Sequence, residues 1–225
     1  MIQLHSEQER HRPLWELVKP HLKAGEMAHD QFHIERVYQW ALKLAPQAGV
    51  NLDLAGATAL VHDLVPIPKD SPQRSLGGEK SAAACGPLLD EVGYSDDEQA
   101  VIIDAVQTSS WSRGRVANSA LGRLLQDADR LDAIGAVGIA RCIACAQDMS
   151  NSENPGRFYH PSDPAGQSDR PLDDRLQALD HFRAKLLTLA EGMHYPLAQT
   201  EGARRHAHME AFIRELALEL SGTSE

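Results

Sequence analysis

Apolar residues recur every three or four positions along most of this chain. That spacing permits little besides helices packed through one face. Ile34, Val37, Trp40, Ala41 and Leu44 show it most plainly. Alternating β-branched runs are absent and aromatic residues reach only 5%, so no segment competes as a strand. Helices are expected over 7–22, 30–45, 53–65, 81–92, 95–107, 120–149, 172–193 and 201–220. Pro46 with Gly49, and Pro66 with Pro68, are expected to end the second and third, because proline cannot donate the helix hydrogen bond. Ser95 reads as an N-cap followed by acidic residues. The stretches 66–80, 108–119 and 150–171 read as polar or turn-rich links. There is no internal repeat and no domain linker. With 225 residues to build a core, the reading is one all-α domain, a helical bundle over 1–225.

Charge narrows the partners. Twenty-two basic residues against 32 acidic ones leave a formal net charge of −10. A chain this acidic has no general attraction for nucleic acid or an anionic membrane, and a phosphate-bearing ligand needs a local cation to land on. No apolar run approaches the roughly 20 residues that span a bilayer. The first residues lack the apolar core of a secretory signal. Three cysteines, Cys85, Cys142 and Cys145, make no disulfide framework, so a reducing, cytoplasmic setting is expected.

The dipeptide His62-Asp63 carries the most chemical information. It stands near the end of the otherwise apolar run LAGATALVHDLV. An ionised Asp there is costly unless it is paired or coordinates a metal. Neutral imidazole nitrogen and carboxylate oxygen together suit Mn, Fe, Co, Ni, Zn or Mg rather than a thiolate site. Further ligands are expected from neighbouring helices. His33 extends the stripe of Val37 and Trp40, and His29 lies four residues before it. Asp127, Asp129 and Asp132 stand in QDADRLDAIGAVGIAR, where Asp129 shares a face with Leu125 and Ala136. The blander reading of that run is a helix surface paired with Arg123, Arg130 and Arg141.

The order His33, His62-Asp63, Asp129 resembles the HD superfamily of metal-dependent phosphohydrolases, named for the dipeptide. The segments AHDQFHIERV, ALVHDLVPIPKDSPQR, QDADRLDAIGAVGIAR and RPLDDRLQALDHFRAKLL are similar to a small single-domain bacterial subgroup, and the likeness runs from about residue 28 to 218. The resemblance implies an all-α HD fold, its motif core at about 28–150 with helices over 172–220 packed on it. It implies one divalent ion held by His33, His62, Asp63 and Asp129, with His62 and Asp63 as the catalytic pair. It implies a small phosphorylated substrate, a nucleotide above all, since some members resemble nucleoside triphosphate pyrophosphohydrolases. Members often carry a histidine in a HSFS-like link where this chain reads TSSWS, with Ser109 in its place.

Developing phosphoryl charge needs nearby cations. Lys69 and Arg74 follow the dipeptide and are the expected substrate-binding residues; Lys80, Arg113 and Arg115 lie in flanking links. Asp173, Asp174 and His181 are candidates to support the site from the closing region, and the stretch 150–171, with Arg157, Tyr159 and His160, reads as a lid or an insertion. Cys142 and Cys145 read as small core residues. Two rival functions remain: a catalytically weak metal- and nucleotide-binding regulatory protein, motivated by Ser109, and a two-iron oxygenase, for which His29 is the only spare ligand. The sequence leaves the oligomeric state open.

Overall fold

The structure, a computed structural model, describes residues 4–5, 8–22, 25–67, 71, 73–109 and 117–221, without the side chains of Arg74 and Ser221. Among the described residues nine α-helices run in chain order: α1 (His11–Val18), α2 (Gln31–Ala48), α3 (Leu52–Val61), α4 (Gly77–Glu91), α5 (Asp96–Gln107), α6 (Ala120–Asp132), α7 (Gly135–Met149), α8 (Asp180–Ala184) and α9 (Pro196–Ser221). Among the described residues there is no strand, only an isolated bridge between Arg157 and Gln177. The residues group into two compact units, Met1–Asp129 with His194–Ala198 and Arg130–Met193 with Gln199–Glu225.

The first unit is built around α3. Its run Ala55–Val61 is buried on every side, as a helix hydrophobic all round must be. α3 packs against α1, α2 and α5, and α4 packs against α5. Gly56 lets α1 approach closely. A Cβ there would overlap the His11 ring and stand 2.8 Å from Tyr38 Cε2. His11 is fully buried and held at both nitrogens, 2.8 Å from Tyr38 Oη and 2.9 Å from the Asp53 carbonyl. Nearby, Arg10 bridges Asp53 and Glu98 and lies over the Tyr94 ring.

Several helix boundaries differ from expectation. α1 starts only at His11, and its last expected turn is the 3-10 turn Lys19–His21. Pro46 does not end α2: it forgoes one bond near the C-terminus, and Gly49, with φ 63°, ends the helix. α4 starts four residues early and carries Pro87 within it. Ser95 does cap α5, in a reciprocal capping box with Glu98.

In the second unit, the single helix expected over 120–149 is broken. Ile134 is extended and Gly135 has φ 78°, which splits it into α6 and α7. Gly138 is needed at the break, because a Cβ there would overlap the Ala133 carbonyl. Ala136 therefore shares no helix with Asp129. The helix expected over 172–193 is also largely absent. Ala178 and Leu179 donate their amides to the carbonyls of Arg157 and Phe158, and Arg157 donates to Leu176. Those long-range partners replace the helical ladder, leaving α8 and the 3-10 turns Leu186–Thr188 and Ala190–Gly192. The preceding polar stretch is pinned. Asp180, fully buried, accepts both Arg170 Nη atoms, at 2.7 and 2.5 Å, and the Asp173 amide. Asp163 holds the amides of Gln167 and Ser168 and the Arg170 Nε.

Candidate metal centre

Asp30 opens α2 with extended backbone, and its carboxylate accepts the amides of Phe32 and His33, each at 3.0 Å. This N-cap pins the first helical turn. His33 stands in that turn, fully buried.

α3 stops one residue before the dipeptide. His62 is its C-cap and Asp63 lies in the turn beyond. The expected placement inside the helix would have left consecutive side chains diverging by about 100°. At the helix end both come close to His33 Nε2. Asp63 Oδ2 stands 3.5 Å from His33 Nε2 and 3.8 Å from His62 Nε2.

His62 Nδ1 lies 2.8 Å from the Ala59 carbonyl. A carbonyl only accepts, so Nδ1 is the donor and Nε2 is the ring atom left to face the other side chains. It stands 3.2 Å from His33 Nε2. From α6, Asp129 Oδ1 comes to 3.8 Å from His33 Nε2, and the ligand-capable atoms of His33, His62 and Asp129 all lie within 4.8 Å of one another. Ligands roughly 2.0–2.2 Å from one ion at near-octahedral or tetrahedral angles are themselves about 2.8–3.6 Å apart. Two imidazoles and the Asp129 carboxylate so grouped make a candidate site for one divalent cation of the borderline or hard class, with Asp63 beside it.

The imidazoles are buried, whereas the Asp63 and Asp129 side chains are 44% and 37% exposed. The candidate centre therefore has a closed nitrogen side and a wet carboxylate side. Desolvation opposes the charge on Asp63, but His62, His33 and His29 outweigh it and hold the carboxyl well below the usual range.

An HD-domain family profile matches residues 32–134. The uncharacterized protein YpgQ of Bacillus subtilis is 30% identical over 201 residues, which cover 86% of this chain and 85% of YpgQ. The chain belongs to the HD superfamily. A crystal structure of an HD-superfamily hydrolase from Bacillus thuringiensis is 30% identical, covers 97% of this chain and 100% of its own, and superposes with a TM-score of 0.69. A Lactobacillus plantarum structure reaches a TM-score of 0.74 at 27% identity, covering 98% of this chain and 100% of its own. The structure of YpgQ in complex with ADP is 28% identical with a TM-score of 0.67, covering 93% and 97%.

Within this HD chain the three aspartates of α6 have separate surroundings. Asp127 is buried and accepts the amides of His194 and Tyr195 at 2.9–3.0 Å. Asp132 pairs with Arg141 at 2.8 Å. Asp129 is the one brought to His33. His29 packs its ring 5.6 Å from that of His33, with Nδ1 2.6 Å from Glu26 Oε1. Ser109 donates its hydroxyl to the Val106 carbonyl at 2.8 Å, back onto the end of the preceding helix α5.

Of the expected cations, Lys69, Arg113 and Arg115 lie outside the described residues, as does the Arg74 side chain; Arg74 itself starts the 3-10 turn Arg74–Leu76. Lys80 is exposed and bonds Gln73. In the second unit, His181 pairs with Asp174 at 2.7 Å. Burial pushes the Cys142 thiol up to about 12. Two supports of the centre escaped sequence reasoning, the Ala59 carbonyl and the Glu26 carboxylate. The first has no side-chain signature, and the second is three residues from His29 outside any helix.

Proposed function

We propose that the chain hydrolyses phosphate esters or phosphoanhydrides of nucleotides, using one divalent ion held by His33, His62, Asp63 and Asp129. Membership of the HD superfamily and the convergence of these side chains support the coarser statement, a metal-dependent phosphohydrolase. The observation that carries it is the grouping of His33, His62 and Asp129, whose ligand-capable atoms lie within 4.8 Å of one another, with the Ala59 carbonyl holding the His62 ring. The ADP bound to YpgQ supports a nucleotide as substrate. A bound divalent cation polarises a phosphoryl oxygen and lowers the pKa of bound water.

Asp63, on the wet side, orients the attacking water, while the buried imidazoles exclude solvent from below. Lys69 and Arg74 follow in the chain and receive the phosphates. The reading of 1–225 as one cytoplasmic domain belongs to the same proposal; no described helix is long and apolar enough to cross a membrane. The test is turnover of a nucleotide and phosphoester panel with Mn, Mg, Fe, Co, Ni and Zn, products resolved as phosphate or pyrophosphate. No turnover with any metal would refute it. The Ser109 hydroxyl, bonded back onto α5, favours a second reading as a weakly catalytic metal- and nucleotide-binding regulator. Tight nucleotide binding without turnover would select it.

A further inference from the structure

The two most exposed large apolar side chains among the described residues are Met27, at 73%, and Phe32, at 49%. Single exposed apolar side chains are ordinary. These two instead fall within six residues of each other, in the short segment that also delivers His29 and His33. Phe32 immediately precedes the buried His33, so the two α-carbons are about 3.8 Å apart. The Phe32 amide is bonded to the Asp30 carboxylate, which holds the ring on a pinned helical turn rather than a free loop. A rigid aromatic ring loses little entropy when a ligand stacks on it, and a methionine thioether adapts to an aromatic edge.

We propose that Phe32 is the platform for the base of a nucleotide whose phosphates lie at the metal centre. This rests on the reading of that centre as a phosphohydrolase site. A nucleotide is anionic at one end and aromatic at the other. The segment 27–33 offers a matching pair of groups, a buried histidine of the candidate centre and, next to it in the chain, an exposed aromatic.

The experiment compares wild type, Phe32→Ala and Phe32→Trp with two substrates, ATP and inorganic tripolyphosphate. It also measures calorimetric affinity for the α,β-methylene analogue of ATP. Phe32→Ala should raise KM for ATP and weaken analogue binding about tenfold, the smaller end of what one base–aromatic stack supplies. KM for tripolyphosphate should stay unchanged, and Phe32→Trp should restore nucleotide affinity. Equal ATP kinetics and analogue affinity in Phe32→Ala would overturn the platform, as would wild type that hydrolyses tripolyphosphate but binds no nucleotide. A change of oligomeric state in Phe32→Ala with unchanged nucleotide affinity would also overturn it, and would mark the patch as a contact between copies. If wild type turns over neither substrate, the phosphohydrolase reading fails separately. Analogue affinity then still decides the platform: a tenfold loss in Phe32→Ala supports it, and no loss or no binding overturns it.

Discussion

Replacing Gly56 with alanine sets two opposed effects against each other. On helix propensity alone, the change inside α3 should stabilise the chain by about 1 kcal/mol. The surroundings argue the other way. The new methyl would overlap the His11 ring and crowd Tyr38, both fully buried. Overpacking of this kind costs about 1–3 kcal/mol. His11 cannot swing aside without losing its bonds to Tyr38 Oη and the Asp53 carbonyl, each worth about 1 kcal/mol. Sterics and lost bonds together outweigh propensity, so Gly56→Ala should destabilise by roughly 2–4 kcal/mol. Urea titration followed by far-ultraviolet circular dichroism reads this directly. His62 lies at the other end of α3, so metal content per folded molecule should be unchanged. A variant as stable as wild type, or more stable by the propensity term, would refute the close approach of α1 to α3.

Asp127→Asn and Asp129→Asn should separate structure from ligation. The first should lower stability by about 2 kcal/mol, since it weakens a buried charged acceptor of two amides, and retain metal; the second should lose metal with little change in melting temperature, both read by metal analysis and thermal unfolding. His62→Ala and Asp63→Ala should lose metal and turnover together, by more than the roughly 10²–10⁴-fold of a missing acid or base; retained turnover in Asp63→Ala would point to another active site. Desolvation opposes the charge of Asp180, but Arg170 and the Asp173 amide outweigh it and lower its pKa. Its contribution to stability is therefore complete above the unfolded value near 4 and is lost as pH falls through the depressed folded value; acid titrations should lose that component in Asp180→Asn. Lys69→Ala and Arg74→Ala should raise KM more for a triphosphate than for a monophosphate, less so in high salt, without changing metal affinity.

Helix content was legible wherever partners are local. Periodicity located α2 to within a few residues and α9 apart from its first five, and α5 was visible from Ser95 followed by acidic residues. What escaped depends on distant groups or on backbone. The stretch AIGAVG looks like a small-residue helix interior, yet positive φ at Gly135 breaks it. Leu172, Leu176 and Leu179 keep helical spacing while their segment bonds to Arg157 and Phe158 instead. For the candidate centre, residue types and order pointed to His33, His62, Asp63 and Asp129. The assignment of Asp127 to the backbone of His194 and Tyr195 needed three dimensions, because its partners lie near the far end of the chain. The position of the dipeptide outside α3 was likewise hidden, since nothing in LVHDLV marks where the helical ladder stops.

That exit from the helix has an electrical consequence. The carbonyl end of α3 carries roughly half a negative charge, and a cation beside His62 and Asp63 sits next to it, a situation worth about 0.3–1 kcal/mol in its favour. The amide end of α2, from which His33 projects, carries the opposite sign and would repel the same ion. Asp30 answers this by placing a full carboxylate on those amides. The cap that shapes the first turn of α2 thus also neutralises a helix end whose field would oppose a cation held there.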